Sequence, residues 1–314
     1  MNGPKTKDKE EDKEMIGQIE FETAAEAVNN ITAGWNLGNT LDATGEWIAK
    51  GSYVNFETAW GNPVTTKEMI TRIKEAGFNA IRVPVTWEFH IDADGNVERE
   101  WMDRVQELVD YVISQDLYCI LNMHHDGGAG TQSWVRAATK NYSKNKDRFA
   151  RVWEQIAERF KDYPEKLLFE AINEPLDEAG NWGNASSDAN LGLAMYHQSF
   201  VNTVRNSGGH NRYRNLIVMT YAGSHDKEAL DKFKLPKDKV EGHLILEVHS
   251  YDPVGFSWYE ASWTTVRSTW GTEADYKEID EDMLKLKNYS EKLGVPVIIG
   301  EFGSEDKDND SERA

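Results

Sequence analysis

The chain is poor in cysteine: one residue, Cys119, sits in the apolar run LYCILNMHH (117–125). A single thiol makes no intrachain disulfide and no thiolate metal cage, so a buried, inert side chain is expected. Positive charge is also scarce, with 35 Lys and Arg against 54 Asp and Glu, a net charge of −19. Such a field repels nucleic acid and anionic membrane surfaces and leaves a neutral substrate indifferent. No apolar run reaches the roughly 18 residues a spanning helix needs. The opening stretch MNGPKTKDKEEDKEM is charged and lacks the apolar segment of a signal peptide. Residues 1–14 therefore read as a disordered segment and 15–314 as one domain, since neither internal repeat nor low-complexity linker interrupts it.

What is present is enough to build a large core: 314 residues, 39% of them hydrophobic, including 11 Trp. Apolar strand-like runs recur at AGWNLGN (33–39), NAIRVPV (79–85), LYCILNM (117–123), KLLFEAIN (166–173), NLIVMTY (215–221), HLILEVH (243–249) and VPVIIGEF (295–302). Helical patterns lie between them. Thr65 and Glu68 are spaced as a capping box, and Gly77 closes the helix that follows. Trp101, Val105, Leu108, Val109 and Val112 form one apolar stripe, and Phe149, Val152, Trp153, Ile156 and Phe160 another. Apolar strands alternating with helices predict a parallel sheet buried on both faces. Nearly every strand ends in polar residues: Asn36 and Asn39, Arg82, His124 and His125, Asn173 and Glu174, Tyr221, His249 and Tyr251, Glu301. A doubly wound sheet would gather its chemistry at one switch point behind a Gly-rich turn, and no such turn follows the first strand. An α/β fold of the (β/α)8 TIM-barrel type, in which all strand ends share one mouth, is the better reading. Only seven strands are readable. Beyond Glu301 lie 314 − 301 = 13 residues, enough to begin a helix near Asp310 and Glu312 but not to add a strand. The barrel is expected to lack its last βα unit.

Two of the strand-end residues are carboxylic acids, Glu174 and Glu301. A lone glutamate there is ordinarily salt-bridged. A pair sharing a mouth with an arginine, histidines and tyrosines suits glycosidic hydrolysis, in which one acid protonates the leaving oxygen and the other, ionised, attacks the sugar or activates water. A separation of about 5 Å gives retention of configuration, and roughly 6.5–9.5 Å inversion. Arg82 within reach of the ionised partner would keep it charged, and Tyr251 can donate to the same carboxylate. Asn173 is placed to donate to a sugar 2-hydroxyl. Loss of Arg82 is expected to damage turnover without unfolding the barrel. HHDGG (124–128) invites a metal reading, but adjacent strand residues face opposite ways, and both rings could chelate together only if the strand had already ended. No metal or other cofactor is expected. Of the two rings, His125 is the better candidate for simple packing. His90, His197, His210, His225 and His243 read as ordinary. Trp47, Trp60, Trp87, Trp134, Trp182, Trp258, Trp263 and Trp270 fall at strand ends or in loops and suit flat sugar faces. Trp101 and Trp153 belong to the core.

With GWNLGNTLDA, ETAWGNP, GFNAIRVPVTW, NEP and GEFG all present, the chain resembles glycoside hydrolase family 5, the cellulase family, and its endoglucanase subfamily 4, from about Gly34 to Gly303. The resemblance implies that Glu174 is the acid/base and Glu301 the nucleophile, with net retention. It also implies that Arg82, His124, Asn173, His249 and Tyr251 line the cleaving subsite, with His125 and Asn36 beside them. No residue here matches the tryptophan that the family carries on its eighth strand. The function expected is that of an endo-acting β-1,4-glucanase on cellulose or β-glucan, monomeric and secreted, with neither nucleic acid nor membrane as partner. The same scaffold could serve as a xyloglucanase, mannanase or xylanase. An inactive glucan-binding fragment and a metal-dependent hydrolase are the readings from other classes.

Overall fold

Seven parallel strands, each hydrogen-bonded to the next in chain order, form the sheet of a computed structural model that describes residues 21–313. The segment 1–14, expected to be disordered, lies outside the described residues. The strands are β1 (Gly34–Asn36), β2 (Ala80–Val83), β3 (Tyr118–Asn122), β4 (Leu167–Glu170), β5 (Leu216–Met219), β6 (Leu244–His249) and β7 (Val297–Glu301). All fall inside the apolar runs read from the sequence. Long helices follow β2, β3, β4 and β6, at Arg99–Ile113, Thr139–Arg159, Ser187–Asn206 and Glu273–Leu293. Both predicted apolar stripes are buried, Trp101 to Val112 and Phe149 to Phe160. One correction concerns the helix Lys67–Glu75. Thr66, not Thr65, caps it, its hydroxyl accepting the amide of Met69 at 3.3 Å. Thr65 is buried and held outside the helix, with its amide on Glu57 Oε1 and its carbonyl on Arg104.

Side chains alternate across the strands, as a pleated backbone requires. Ile81, Val83, Cys119, Leu121, Phe169, Leu216 and Val218 pack outward against the helices. Ala80, Ile120, Leu168, Ile217 and Ile245 share a separate apolar cluster with Ala24 and Ala27 of the helix Ala24–Asn30 and with Ile298. The next inward positions along the same strands are Arg82, Asn122, Glu170, Met219, Glu247 and Gly300. The barrel therefore has an apolar lower layer and a charged upper one. Between β1 and β7 no ladder forms among the described residues; the side chain of Asn36 donates instead to the carbonyl of Gly300 at 2.9 Å. A short helix at Asp310–Arg313 follows β7. No helix of the described residues is long and apolar enough to cross a membrane.

Candidate active site

Arg82 sits near the middle of the charged layer and makes five hydrogen bonds. Its Nε and Nη2 donate to the two oxygens of Glu170 at 2.6 and 2.7 Å, and Nη2 also donates to Asn173 Oδ1 at 2.7 Å. Nη1 donates to Glu301 Oε1 at 2.7 Å and to Asn36 Oδ1 at 3.1 Å. A guanidinium has only donors, so it fixes the amide of Asn173 with its oxygen inward and leaves the nitrogen to donate elsewhere. Glu247 Oε1 stands 3.5 Å from Nε. Glu170 and Glu247 are fully buried, and burial raises Glu170 to about 7 against the pull of Arg82. Arg82 thus counters two carboxylates that water does not reach, so its loss should destabilise the barrel as well as the mouth. The sequence alone led to the expectation that only turnover would suffer.

Glu174 and Glu301 rise above this layer on opposite sides. Glu174 follows β4 with φ of 39°, a left-handed backbone unusual for a side-chain-bearing residue, and its amide meets Met219 Sδ at 3.1 Å. Its side chain is 23% exposed and that of Glu301 17%, so both keep access to solvent. One oxygen of each, with a ring nitrogen of His249, lie within 4.8 Å of one another. Their environments differ. Burial alone would raise Glu301, but Arg82, His249 and the hydroxyl of Tyr251, which donates to Oε2 at 2.8 Å, bring it below the usual carboxylate range. Glu174 has no such arginine; its Oε1 faces His249 Nδ1 at 2.9 Å. His249 Nε2 lies 3.3 Å from Glu247 Oε1. Burial works against its charge, yet the bonds to Glu174 and Glu247 prevail and push it up to about 10.

β3 ends at Asn122, so His124 and His125 both lie beyond the strand, their rings 4.5 Å apart. His124 is buried, bonded through Nδ1 to the Asn122 amide, and burial holds it well below its usual pKa. His125 is the more exposed and faces the ring of Trp60 at 5.6 Å and Asp42 at 3.9 Å, so the packed member of the pair is His124, opposite to expectation. Asp42, His124 and His125 offer donors within 4.8 Å. The Asp42 oxygens already accept the amides of Asn39 and Thr40, at 3.1 and 2.7 Å. Asn39 stays with that loop, and the hydroxyl of Tyr221 donates to the Asn181 carbonyl, so neither meets the paired carboxylates. Trp47, Trp60, Trp182, Trp258 and Trp263 are exposed as expected, joined by Trp35 of β1. Trp87 and Trp134 are not: both are buried, their indoles donating to the Asn122 carbonyl and to Asp126. Trp270 is half-buried between Phe256 and Tyr276. The sequence reading missed Glu170 and Glu247. Both were visible as acids inside apolar runs, and Glu247 lies two positions before His249 on the same strand face.

A barrel mouth carrying two carboxylates, one clamped by arginine and tyrosine, defines a glycosidase-type centre. Residues 41–314 match the model of Cellulase (glycosyl hydrolase family 5), and the chain belongs to that family. Endoglucanase A of Clostridium longisporum is 41% identical over 298 residues, covering 93% of this chain and 55% of the relative. A glycoside hydrolase family 5 enzyme from Prevotella bryantii, solved with a xyloglucan tetradecasaccharide, superposes with a TM-score of 0.85 at 41% identity, over 93% of this chain and 82% of that one. A broad-specificity endoglucanase from Ruminococcus champanellensis, solved with cellotriose, gives 0.86 at 40% identity, over 94% and 84%. The chain spans about half the length of curated relatives such as the first, and 34% of the cellulase/esterase CelE of Acetivibrio thermocellus.

Proposed function

We propose that this chain is an endo-acting, retaining β-1,4-glucanase in which Glu301 is the nucleophile and Glu174 the acid/base. The carrying observation is the spacing: carboxylate oxygens of the two residues lie within 4.8 Å. That proximity favours the roughly 5 Å carboxyl spacing of retaining enzymes, in which one carboxylate attacks the sugar directly, over the roughly 6.5–9.5 Å of inverting ones. Arg82 and Tyr251 hold Glu301 ionised, ready to bond the anomeric carbon as the glycosidic bond breaks. Glu174 gives its proton to the departing oxygen, then takes one from the water that releases the glycosyl-enzyme. The free amide nitrogen of Asn173 is the donor for the 2-hydroxyl of the reacting sugar. The similarity to endoglucanases, and to proteins solved with cellotriose and xyloglucan, supports β-1,4-linked glucan as substrate, with xyloglucan beside cellulose and mixed-linkage glucan. A polymer of that kind is met outside the cell, and a monomer suffices, since every group named comes from one chain. The test is reducing-sugar release from soluble mixed-linkage β-glucan, with the anomeric form of the first product read by proton NMR. β-Product from the parent chain and none from Glu301→Ala is the expected result. An α-product, or an active Glu301→Ala, overturns the assignment.

A further inference from the structure

Glu247 has no place in the reaction just described, yet the barrel makes room for it at the centre. It is fully buried, its Oε2 has no hydrogen-bond partner among the described residues, and its Oε1 faces His249 Nε2 and Arg82 Nε. On β7 the adjoining residue is Gly300, where an added Cβ would fall 1.7 Å from Glu247 Oε1, so any side chain there would displace the carboxylate. The β6–β7 ladder shifts register between Val248 and His249, and the pairing then brings His249 opposite Glu301. An ionisable group buried among charges, with a glycine cut away for it, is a poor way to gain stability. It does orient an imidazole well.

We propose that Glu247 is a positioning residue that keeps the proton on His249 Nε2 and so turns Nδ1 toward Glu174 as the other end of a proton-sharing line. The inference rests on the reading of Glu174 as the acid. With Nε2–H donated to Glu247, the one mobile proton lies between His249 Nδ1 and Glu174 Oε1, which are 2.9 Å apart. When the glycosidic bond breaks, the Glu174 O–H bond breaks with it and that proton passes to the leaving oxygen. When water attacks the glycosyl-enzyme, Glu174 regains a proton and the line is restored. The other ionisable groups acting on the imidazole are Glu301 from β7, 3.5 Å from Nδ1, Arg82 from β2 and His124 beyond β3. Among the described residues, only Glu247 bonds Nε2. The proton held by the couple therefore depends on that carboxylate, in keeping with the elevated basicity of His249.

The test is the Glu247→Gln variant, which preserves shape and removes charge. Its pH profile of kcat/KM on mixed-linkage β-glucan should show the alkaline limb moved down by about one unit, within the roughly 1–3 units that a close opposite charge commands. On an aryl cellobioside whose leaving group needs no protonation, the variant should stay within a few-fold of the parent. Limbs that stay in place while the amplitude falls would mean a packing role only and overturn the proposal. If the variant fails to fold, imidazole nitrogen-15 NMR of the parent decides: His249 Nε2 should carry its proton throughout neutral pH, and a neutral ring protonated on Nδ1 overturns it. Glu301→Ala, run in parallel, separates the two failures. A dead Glu301→Ala with unmoved limbs in Glu247→Gln defeats only this inference, whereas an active Glu301→Ala defeats the glycosidase reading beneath it.

Discussion

Replacing Tyr251 with phenylalanine removes one hydrogen bond, donated at 2.8 Å to Glu301 Oε2, and nearly nothing else. A hydrogen bond to a charged acceptor contributes about 1.5–3 kcal/mol. One pKa unit corresponds to about 1.4 kcal/mol, so complete loss would raise Glu301 by about one to two units. Glu301 is 17% exposed, water takes part of the vacated position, and Arg82 Nη1 remains at 2.7 Å. A rise of about one unit is therefore expected. The sign follows from the direction of the native shift. Glu301 is lowered in the fold, so its ionised form and the stability it brings are present above the unfolded carboxylate pKa and vanish as pH falls through the folded one. Tyr251→Phe weakens that preference. The acidic limb of kcat/KM should move up by about one pH unit while the alkaline limb stays. Steady-state rates on soluble β-glucan from pH 3 to 9 supply the measurement. An unmoved acidic limb with unchanged kcat would show that Tyr251 does not hold the nucleophile, and the role drawn from its contact would be wrong.

Glu174→Gln should lower turnover of polysaccharide by about 10²–10⁴-fold, the usual worth of a general acid, and lower it far less on an aryl cellobioside with a good leaving group. Equal losses on both substrates would contradict its role. Arg82→Met should abolish activity and cost about 3–5 kcal/mol in urea unfolding, because Glu170 and Glu247 are then buried without their cation. A variant as stable as the parent would show that these two carboxylates share a proton when the arginine is absent.

The strands were legible because each is an apolar run, and the mouth because each run ends in a residue that burial would otherwise penalise. Arg82, Asn173, Glu174, His249, Tyr251 and Glu301 were found that way, and the fold brings them within contact of one another. What was not legible lay inside the strands. In LLFEAIN and LILEVH the acids at Glu170 and Glu247 are surrounded by residues of the core, and nothing local says whether the alternate face looks inward on charge or outward on helix. The tryptophans failed for the complementary reason. Trp87 and Trp134 sit in polar loop sequence, but the loops fold back and their indoles satisfy the Asn122 carbonyl and Asp126, whereas Trp60 stays at the surface beside His125. Loop polarity says that a chain segment meets water, not which of its side chains does.

The layering of the barrel explains why so much charge can be kept in so little space. Glu170 and Glu247 flank Arg82 within the layer and Glu301 meets it from above, with His249 beside them, so the group as a whole carries more acid than base unless protons make up the difference. β2, β4 and β6 supply Arg82, Glu170 and Glu247 at a fixed height, and parallel pairing locks those heights relative to one another. The loops above can then change length and aromatic content without altering the fields that hold Glu301 ionised. A substitution that changes charge in the layer, such as Glu247→Gln, should alter the pH dependence on every substrate that needs protonation. A substitution at the rim, such as removal of the Trp60 side chain, should alter which glucan is preferred and leave the limbs where they are. The distinction follows from position: the charged layer is bonded to the two carboxylates, whereas Trp60 stands at the surface against His125 and makes no bond to either.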